Sequence, residues 1–512
     1  HYERGLALVT PSEAPAVAAL FGRAARRALD TVATATAATL SRDGLALLGS
    51  DPWSGAPDLA RDLTLAAAEA AFLSGDLPAM EAATDALLAH ASTPDQRVDA
   101  LELRLHAFSH VARHDDALDA CCDALAALGH PVPRRPSPLR GGLELIAQSM
   151  RLRGFQPEDL AELPPMNDPR MLRALKVMLM VGAAAQARSP GMFALVLARS
   201  VGLSIKHGLA PEAPLTYLSY GFALSVVLGQ RETGYRFGQE ALRLLGPPER
   251  SPLSASIITI FNTYIRHWRE PRNHSLEAYA TALRAALQNG DLEYYGYNIA
   301  AWCFTASMSS ERLGPTTRTI ASHHRELART RQVKMHGAVG ALREELARLT
   351  GPADPPVPPA PLDGVDADAV ARAAEDDYVQ FLVDTTRSLY ALLRGDADVA
   401  LDKARAARAQ DKGVFGSHQF YGLTWRMTGV VAAAERAAAH PTERRVLRRW
   451  SRGPMKELRK AAAEAPFNYA LMDRLAVSAW ASVDGDVGTA LQAAQQAVDL
   501  AREHRIHGLE AL

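Results

Sequence analysis

Apolar residues recur at helical spacing along most of the chain. In "RVDALELRLHAFSHVARHDDALDACCDALAALG", Val98, Leu101, Leu105, Phe108 and Ala112 stand at i, i+3, i+7, i+10 and i+14, the stripe of one helix face. His114-Asp115-Asp116 breaks the stripe. It resumes with Leu118, Cys121, Leu125 and Leu128 and stops at Gly129. This predicts two amphipathic helices joined by a tight turn, an αα-hairpin. Alternating runs of β-branched and aromatic residues, the mark of strands, are nearly absent.

The turn chemistry repeats. Gly75-Asp76, Gly290-Asp291, Gly395-Asp396 and Gly485-Asp486 each precede a helical run. Glycine can take the left-handed conformation that closes a helix, and aspartate can cap the next one. Small residues such as Ala490, Ala493, Ala494 and Ala497 follow, which lets paired helices approach closely. Asp76 and Asp115 are 39 residues apart, near the length of tetratricopeptide and HEAT-like repeats. Later spacings are irregular, as in diverged or interrupted repeats. The expected fold is all-α: an α-solenoid of antiparallel helix pairs, a tetratricopeptide-like superhelix.

Two proline-rich stretches punctuate the array. "HPVPRRPSPLRGG" and "GPADPPVPPAPLDG" cannot continue a helix, because proline lacks the amide donor and restricts its predecessor. They divide the chain into an N-terminal array (1–130), a proline-containing connection (131–165), a central array (166–350), a proline-rich linker (351–365) and a C-terminal array (366–512).

Composition narrows the function classes. The formal net charge is -1 with 22% charged residues, which leaves no overall electrostatic footprint for nucleic acid or an acidic membrane. No apolar run approaches the roughly 20 residues of a membrane span, and no signal peptide is recognisable. Only three cysteines occur, Cys121, Cys122 and Cys303, which suits a reducing compartment and offers no disulfide framework or CxxC site. A cytoplasmic protein is expected. His1 is not a methionine and "HGLEAL" carries no helix cap, so both ends read as cuts in something larger.

Several segments also resemble a known type of region. They include "LFGRAARRALDTVATATAATLSRDGLALLGSDPW", "DLAELPPMNDPR", "KHGLAPEAPLTYLSYGFALSVVLGQRETGYRFGQEAL" and "IRHWREP". The likeness is to the helical-repeat middle of large bacterial signalling proteins. Those proteins join a serine/threonine kinase, an AAA-type (STAND-like) ATPase, this region, a GAF domain and often a histidine kinase. It runs from the start to about residue 330. The resemblance implies a regulatory sensor or scaffold module beside an ATPase, and it transfers no catalytic or ligand-binding residue.

Catalytic motifs are missing from the sequence. It has no G-x-x-x-x-G-K-[ST], no kinase H-R-D and D-F-G set, no G-x-S-x-G and no H-E-x-x-H. No enzyme activity, cofactor or metal is therefore expected. "SHHRE", with His323, His324 and Glu326, reads as a solvated helix face, since adjacent histidines diverge on a helix. Cys121 reads as an inward-packed small residue. "ERRVLRRWSRGPMKELRK" (443–460) reads as a solvated basic face with Val446, Leu447 and Trp450 turned inward, or as a site for an anionic partner.

The candidate site is aromatic. Eight of the thirteen tyrosines lie between residues 210 and 300. In "FNTYIRHWREP", Phe261, Tyr264 and Trp268 fall at i, i+3 and i+7, with His267 at the edge of that stripe; Tyr295, Asn298 or Ile299, and Trp302 repeat the rhythm. Such residues either fill a wide part of the core or line a concave groove. In the second case Tyr217, Tyr220, Tyr264, His267, Trp268, Tyr295, Asn298 and Trp302 are the contact set, with Arg266 and Arg269 nearby. Two functions follow. One is a non-catalytic regulatory module of a signalling ATPase/kinase, which binds a small effector or protein partner on its concave face. The other is a pure scaffold that packs on its own ATPase domain or another protein without a small ligand. Neither involves nucleic acid or a membrane.

Overall fold

The computed structural model describes residues 5, 8–111, 113–309, 313–350, 369, 377–411 and 420–509. Ala112 and the expected linker 351–365 lie outside the described residues. Among the described residues the chain is all helical; the one strand-like feature is an isolated bridge between Pro165 and Leu209. No helix there is long and apolar enough to cross a membrane.

Contacts divide the chain into two compact units: His1–Phe155 with Glu162–Glu212, and Gln156–Ala161 with Ala213–Leu512. Residue 130, where the N-terminal array is expected to end, falls inside the first of these.

In both units helices pack mainly on their sequence neighbours, as the pattern of paired stripes predicts. Helices Pro94–His110 and His114–Ala127 form the expected hairpin. The first helix ends at His110, and His114-Asp115-Asp116 open the second helix instead of interrupting the pair. Aspartates in a first turn favour the positive end of the helix dipole, which explains the shift.

The four Gly-Asp turns behave alike. Gly75, Gly290, Gly395 and Gly485 take φ of +80°, +70°, +77° and +79°. The amide of the following aspartate reaches back to Ala71, Ala286, Ala391 and Ala481, the long bond of a Schellman motif. Each aspartate carboxylate then accepts from the amide three residues on, in Ala79, Tyr294, Val399 and Thr489. One dipeptide ends a helix and starts the next.

The first unit holds two clusters of buried apolar residues, one around Phe21, Leu29 and Leu40 and one around Leu105, Leu125, Met178 and Leu195. In the second unit a larger core runs from Trp268 and Ile299 through Leu382 and Trp425 to Tyr469 and Trp480.

Candidate functional site

The aromatic segment departs from simple helix geometry. Helix Ser254–Ile260 passes into a π-helical turn at Phe261–Ile265 and then a 3-10 turn at Arg266–Trp268. The expected single stripe of Phe261, Tyr264 and Trp268 is therefore incorrect. A π turn shifts each residue's bearing relative to an α-helix. Asn262, Thr263 and Ile265 turn inward, Tyr264 is only half-buried, and His267 is fully buried instead of lying at an edge.

Close packing surrounds the distorted turn. Phe261 lies on the backbone of Gly238, where an added Cβ would come within 2.4 Å of the ring. Helices Ala213–Val226 and Arg231–Leu245 cross at Gly221 and Gly234, and a Cβ on Gly234 would meet the Gly221 carbonyl at 2.4 Å. Tyr217 and Tyr220 present edges to Phe237, and the Tyr217 hydroxyl donates to the Leu160 carbonyl at 3.3 Å.

Beyond the π turn, the segment 267–272 is fixed by a polar set from far along the chain. The Tyr469 hydroxyl and His267 Nδ1 lie 2.5 Å apart. Asn468 Nδ2 donates to the carbonyls of His267 (2.7 Å) and Glu270 (3.0 Å), while its Oδ1 accepts from the Arg272 amide at 3.0 Å. Arg272 reaches the Tyr421 hydroxyl at 2.6 Å and lies over the Phe420 and Tyr421 rings. The Arg231 guanidinium stacks 3.9 Å above Trp268 and meets Glu464 at 3.3 Å. Stacked arginines keep cation–π contact where water is scarce. Glu270 ties in Arg266 at 2.7 Å, His274 at 3.3 Å and the Tyr235 hydroxyl. Burial pushes its pKa up, yet these donors together hold it below the usual carboxylate range.

Of the eight sequence-predicted residues, Tyr217, Tyr220, His267, Trp268, Tyr295 and Asn298 are buried, and Tyr264 and Trp302 are half-buried. Asn298 spends its amide inside, on Thr259 Oγ1 (2.6 Å) and the Tyr294 carbonyl (2.7 Å). Trp302 meets His323 edge-on. The structure brings His267 and Trp268 together around Tyr469, and Tyr217 and Tyr220 together around Phe237. Six of the eight side chains thus lie in the interior, where Trp268 Nε1 and Asn298 Oδ1 have no hydrogen-bond partner among the described residues. Asn468, Tyr469, Arg272 and Arg231 were not foreseen as members; Pro466-Phe467-Asn468-Tyr469 was the only local hint of them.

Other expectations need correction. His324 is not on a solvated face: it is buried and stacked on His336 with ring centres 3.8 Å apart, because the next helix closes over it. Val446 is not inward but 68% exposed, whereas Leu447 is buried. Cys121, by contrast, is buried as expected; Cys122 is buried too, and burial pushes its thiol up to about 11. Among the described residues no group of three or more His, Cys, Asp or Glu side chains is arranged to hold a metal.

Open grooves among the described residues include one in each unit. One, of about 370 Å³, lies in the first unit between helices Pro138–Arg151 and Pro190–His207, lined by Gln148, Arg151, Phe155, Arg199 and Lys206 among others. These helices touch through glycines: a Cβ on Gly141 would sit 2.2 Å from the Gly191 carbonyl. So close a contact leaves room inward only for Gly141, Leu145, Gln148 and Leu152, and the bulk of helix Pro138–Arg151 turns outward. Leu139, Leu143, Ile146 and Met150, spaced i, i+4, i+7 and i+11, are 74%, 57%, 44% and 57% exposed. Arg140 and Arg151 flank this stripe. Across the groove stand Lys206 and Arg199, the latter 3.5 Å from Glu144. The second groove, of about 560 Å³, lies in the second unit between Arg459, Asp473, Arg474, Asp499 and Glu503.

Compared with known proteins, the chain matches no family model, and no curated protein is similar enough to count as a relative.

Proposed function

We propose that this chain is a non-catalytic protein-docking module, a solenoid-type array of helix pairs that engages a partner helix. It corresponds to the scaffold reading of the sequence. The observation that carries it is the outward apolar stripe Leu139-Leu143-Ile146-Met150. An exposed row of this size on one helix marks an interaction surface. The flanking Arg140, Arg151 and Lys206 favour an amphipathic helix with apolar residues at the same spacing and carboxylates along its margins.

The buried state of the aromatic cluster supports a packing role for those residues over capture of a small effector. The resemblance to the middle region of multidomain signalling ATPase/kinase proteins supports a place beside such domains. On that reading, neighbouring domains of the same chain or a separate protein supply the helix.

Cross-linking mass spectrometry on the protein in its source cells tests this, beside a Leu143→Asp/Ile146→Asp variant. Cross-links from helix Pro138–Arg151 to an acidic, helix-forming segment, lost in a variant that keeps its helicity, are the expected result. An unchanged partner set in the folded variant would remove the proposal. A small molecule co-purifying with the chain and seen by native mass spectrometry would restore the effector reading.

A further inference from the structure

Helix Arg444–Glu464 has two opposed faces of unlike chemistry. Leu447, Ser451, Pro454, Leu458 and Ala461, at alternating intervals of four and three, are buried against the second unit's core. On the reverse side Arg445, Arg449, Arg452, Lys456 and Lys460 follow at i, i+4, i+7, i+11 and i+15, and all five are exposed. At about 1.5 Å rise per residue the row is about 22 Å long, with a cation every 5–6 Å or so. Arg444 and Arg448, on the adjoining flank, are engaged by Asp484 at 2.8 and 2.9 Å. Among the described residues the five outer cations make no ion pair.

A row of like charges on one helix carries mutual repulsion and adds nothing to packing. We infer that this row is a second docking surface, and that its occupant is an acidic helix of a protein partner. A helix with a carboxylate every three to four residues places its charges at the same axial intervals as the five cations. Nucleic acid fits less well. The chain's net charge is -1, and the one aromatic of this helix, Trp450, is half-buried with its ring against Gly429, so no base can stack on the row. A lipid surface also fits less well, because the apolar side of the helix is already buried and Val446 alone projects outward. This surface is independent of the apolar stripe on helix Pro138–Arg151.

The test uses the full chain and four fluorescent probes. These are a helical peptide with glutamates every three to four residues on one face, a scrambled peptide of equal composition, a single-stranded oligonucleotide, and vesicles containing phosphatidylserine. Anisotropy titrations should show the patterned peptide binding, with affinity falling as salt is added. Binding should weaken about tenfold in an Arg449→Glu/Lys456→Glu variant. The unfolding midpoint should not move, since both side chains are exposed; if it does, Arg449→Gln/Lys456→Gln replaces it. Equal binding of the scrambled peptide would overturn the inference, as would binding that survives the substitutions. Tighter binding of oligonucleotide or vesicles, or no binding by any probe, would do so too.

Discussion

Tyr469 and His267, 202 residues apart in sequence, share a buried 2.5 Å hydrogen bond, and beside it Asn468 makes three more to the backbone of 267–272. The segment 267–272, which follows the π turn, and helix Pro466–Asp484 are thereby joined by directional bonds as well as by apolar contact. Tyr469→Phe should lower stability by about 1–2 kcal/mol, since it leaves His267 Nδ1 without the phenol. Asn468→Ala should cost more, about 3 kcal/mol, because two carbonyls and an amide lose their partner together. Asn468→Asp should be at least as damaging, because a carboxylate faces the His267 and Glu270 carbonyls where an amide donated. Urea unfolding of the three variants checks the order; a Tyr469→Phe cost equal to that of Asn468→Ala would contradict it.

Gly238 packs against the ring of Phe261 where the chain enters its π turn. Gly238→Ala alone should destabilise by about 1–3 kcal/mol through overpacking, although alanine is the better helix former. Phe261→Leu in the same chain should recover part of that loss, because a smaller side chain vacates the space. A double-mutant cycle with no coupling would show that the close approach does not set the cost.

How much of this was legible beforehand depends on the range of each interaction. Helix pairing, the Gly-Asp turns and the inward Cys121 rest on neighbours within a few residues, and periodicity and capping chemistry state them directly. The π turn was not legible, because its residues pack on distant parts of the chain, as Phe261 does on Gly238, more than twenty residues upstream. The polar bonds of His267 come from Asn468 and Tyr469, whose own surroundings read as an ordinary helix start. The outward stripe on helix Pro138–Arg151 was missed because a helix wheel shows which face is apolar. It cannot show that a Gly141–Gly191 contact fills the other face. His324 was misread for a related reason: adjacent histidines do diverge, but the one turned inward found His336.

Glu345 is fully buried and bound by three arginines: Arg387 at 2.7 Å, Arg348 at 2.6 Å, and Arg394. Arg387 also contacts Glu344, which joins helices Val333–Thr350 and Asp377–Leu393. Removing one member of a buried charge cluster strands the others, so Glu345→Ala should cost about 3–5 kcal/mol. Glu345→Gln should cost less, since it keeps one acceptor oxygen. Pairing Glu345→Ala with Arg387→Met should recover stability relative to Glu345→Ala alone. Thermal and denaturant unfolding check this, and additive costs for the pair would contradict it.

The buried tyrosines predict a loss of stability in alkali. Burial pushes Tyr390 up to about 12 from a usual value of 10.0 and raises Tyr217, Tyr421 and Tyr469 as well. Tyr235 is raised by burial and further by its bond to Glu270. A phenol raised in the native state holds its proton more tightly there than in the unfolded chain. Its contribution is complete below the unfolded value, about 10, and is lost as pH rises through the native one. With several such groups the losses add, so unfolding should be cooperative and steep above about pH 10. Helicity and phenolate absorbance followed together against pH provide the check. The expected outcome is a small early phenolate signal from the less buried tyrosines, then a joint jump in phenolate and loss of helix. Full phenolate formation near pH 10 with the helices intact would mean that these hydroxyls are open to solvent, and the aromatic cluster would then be accessible to a ligand after all.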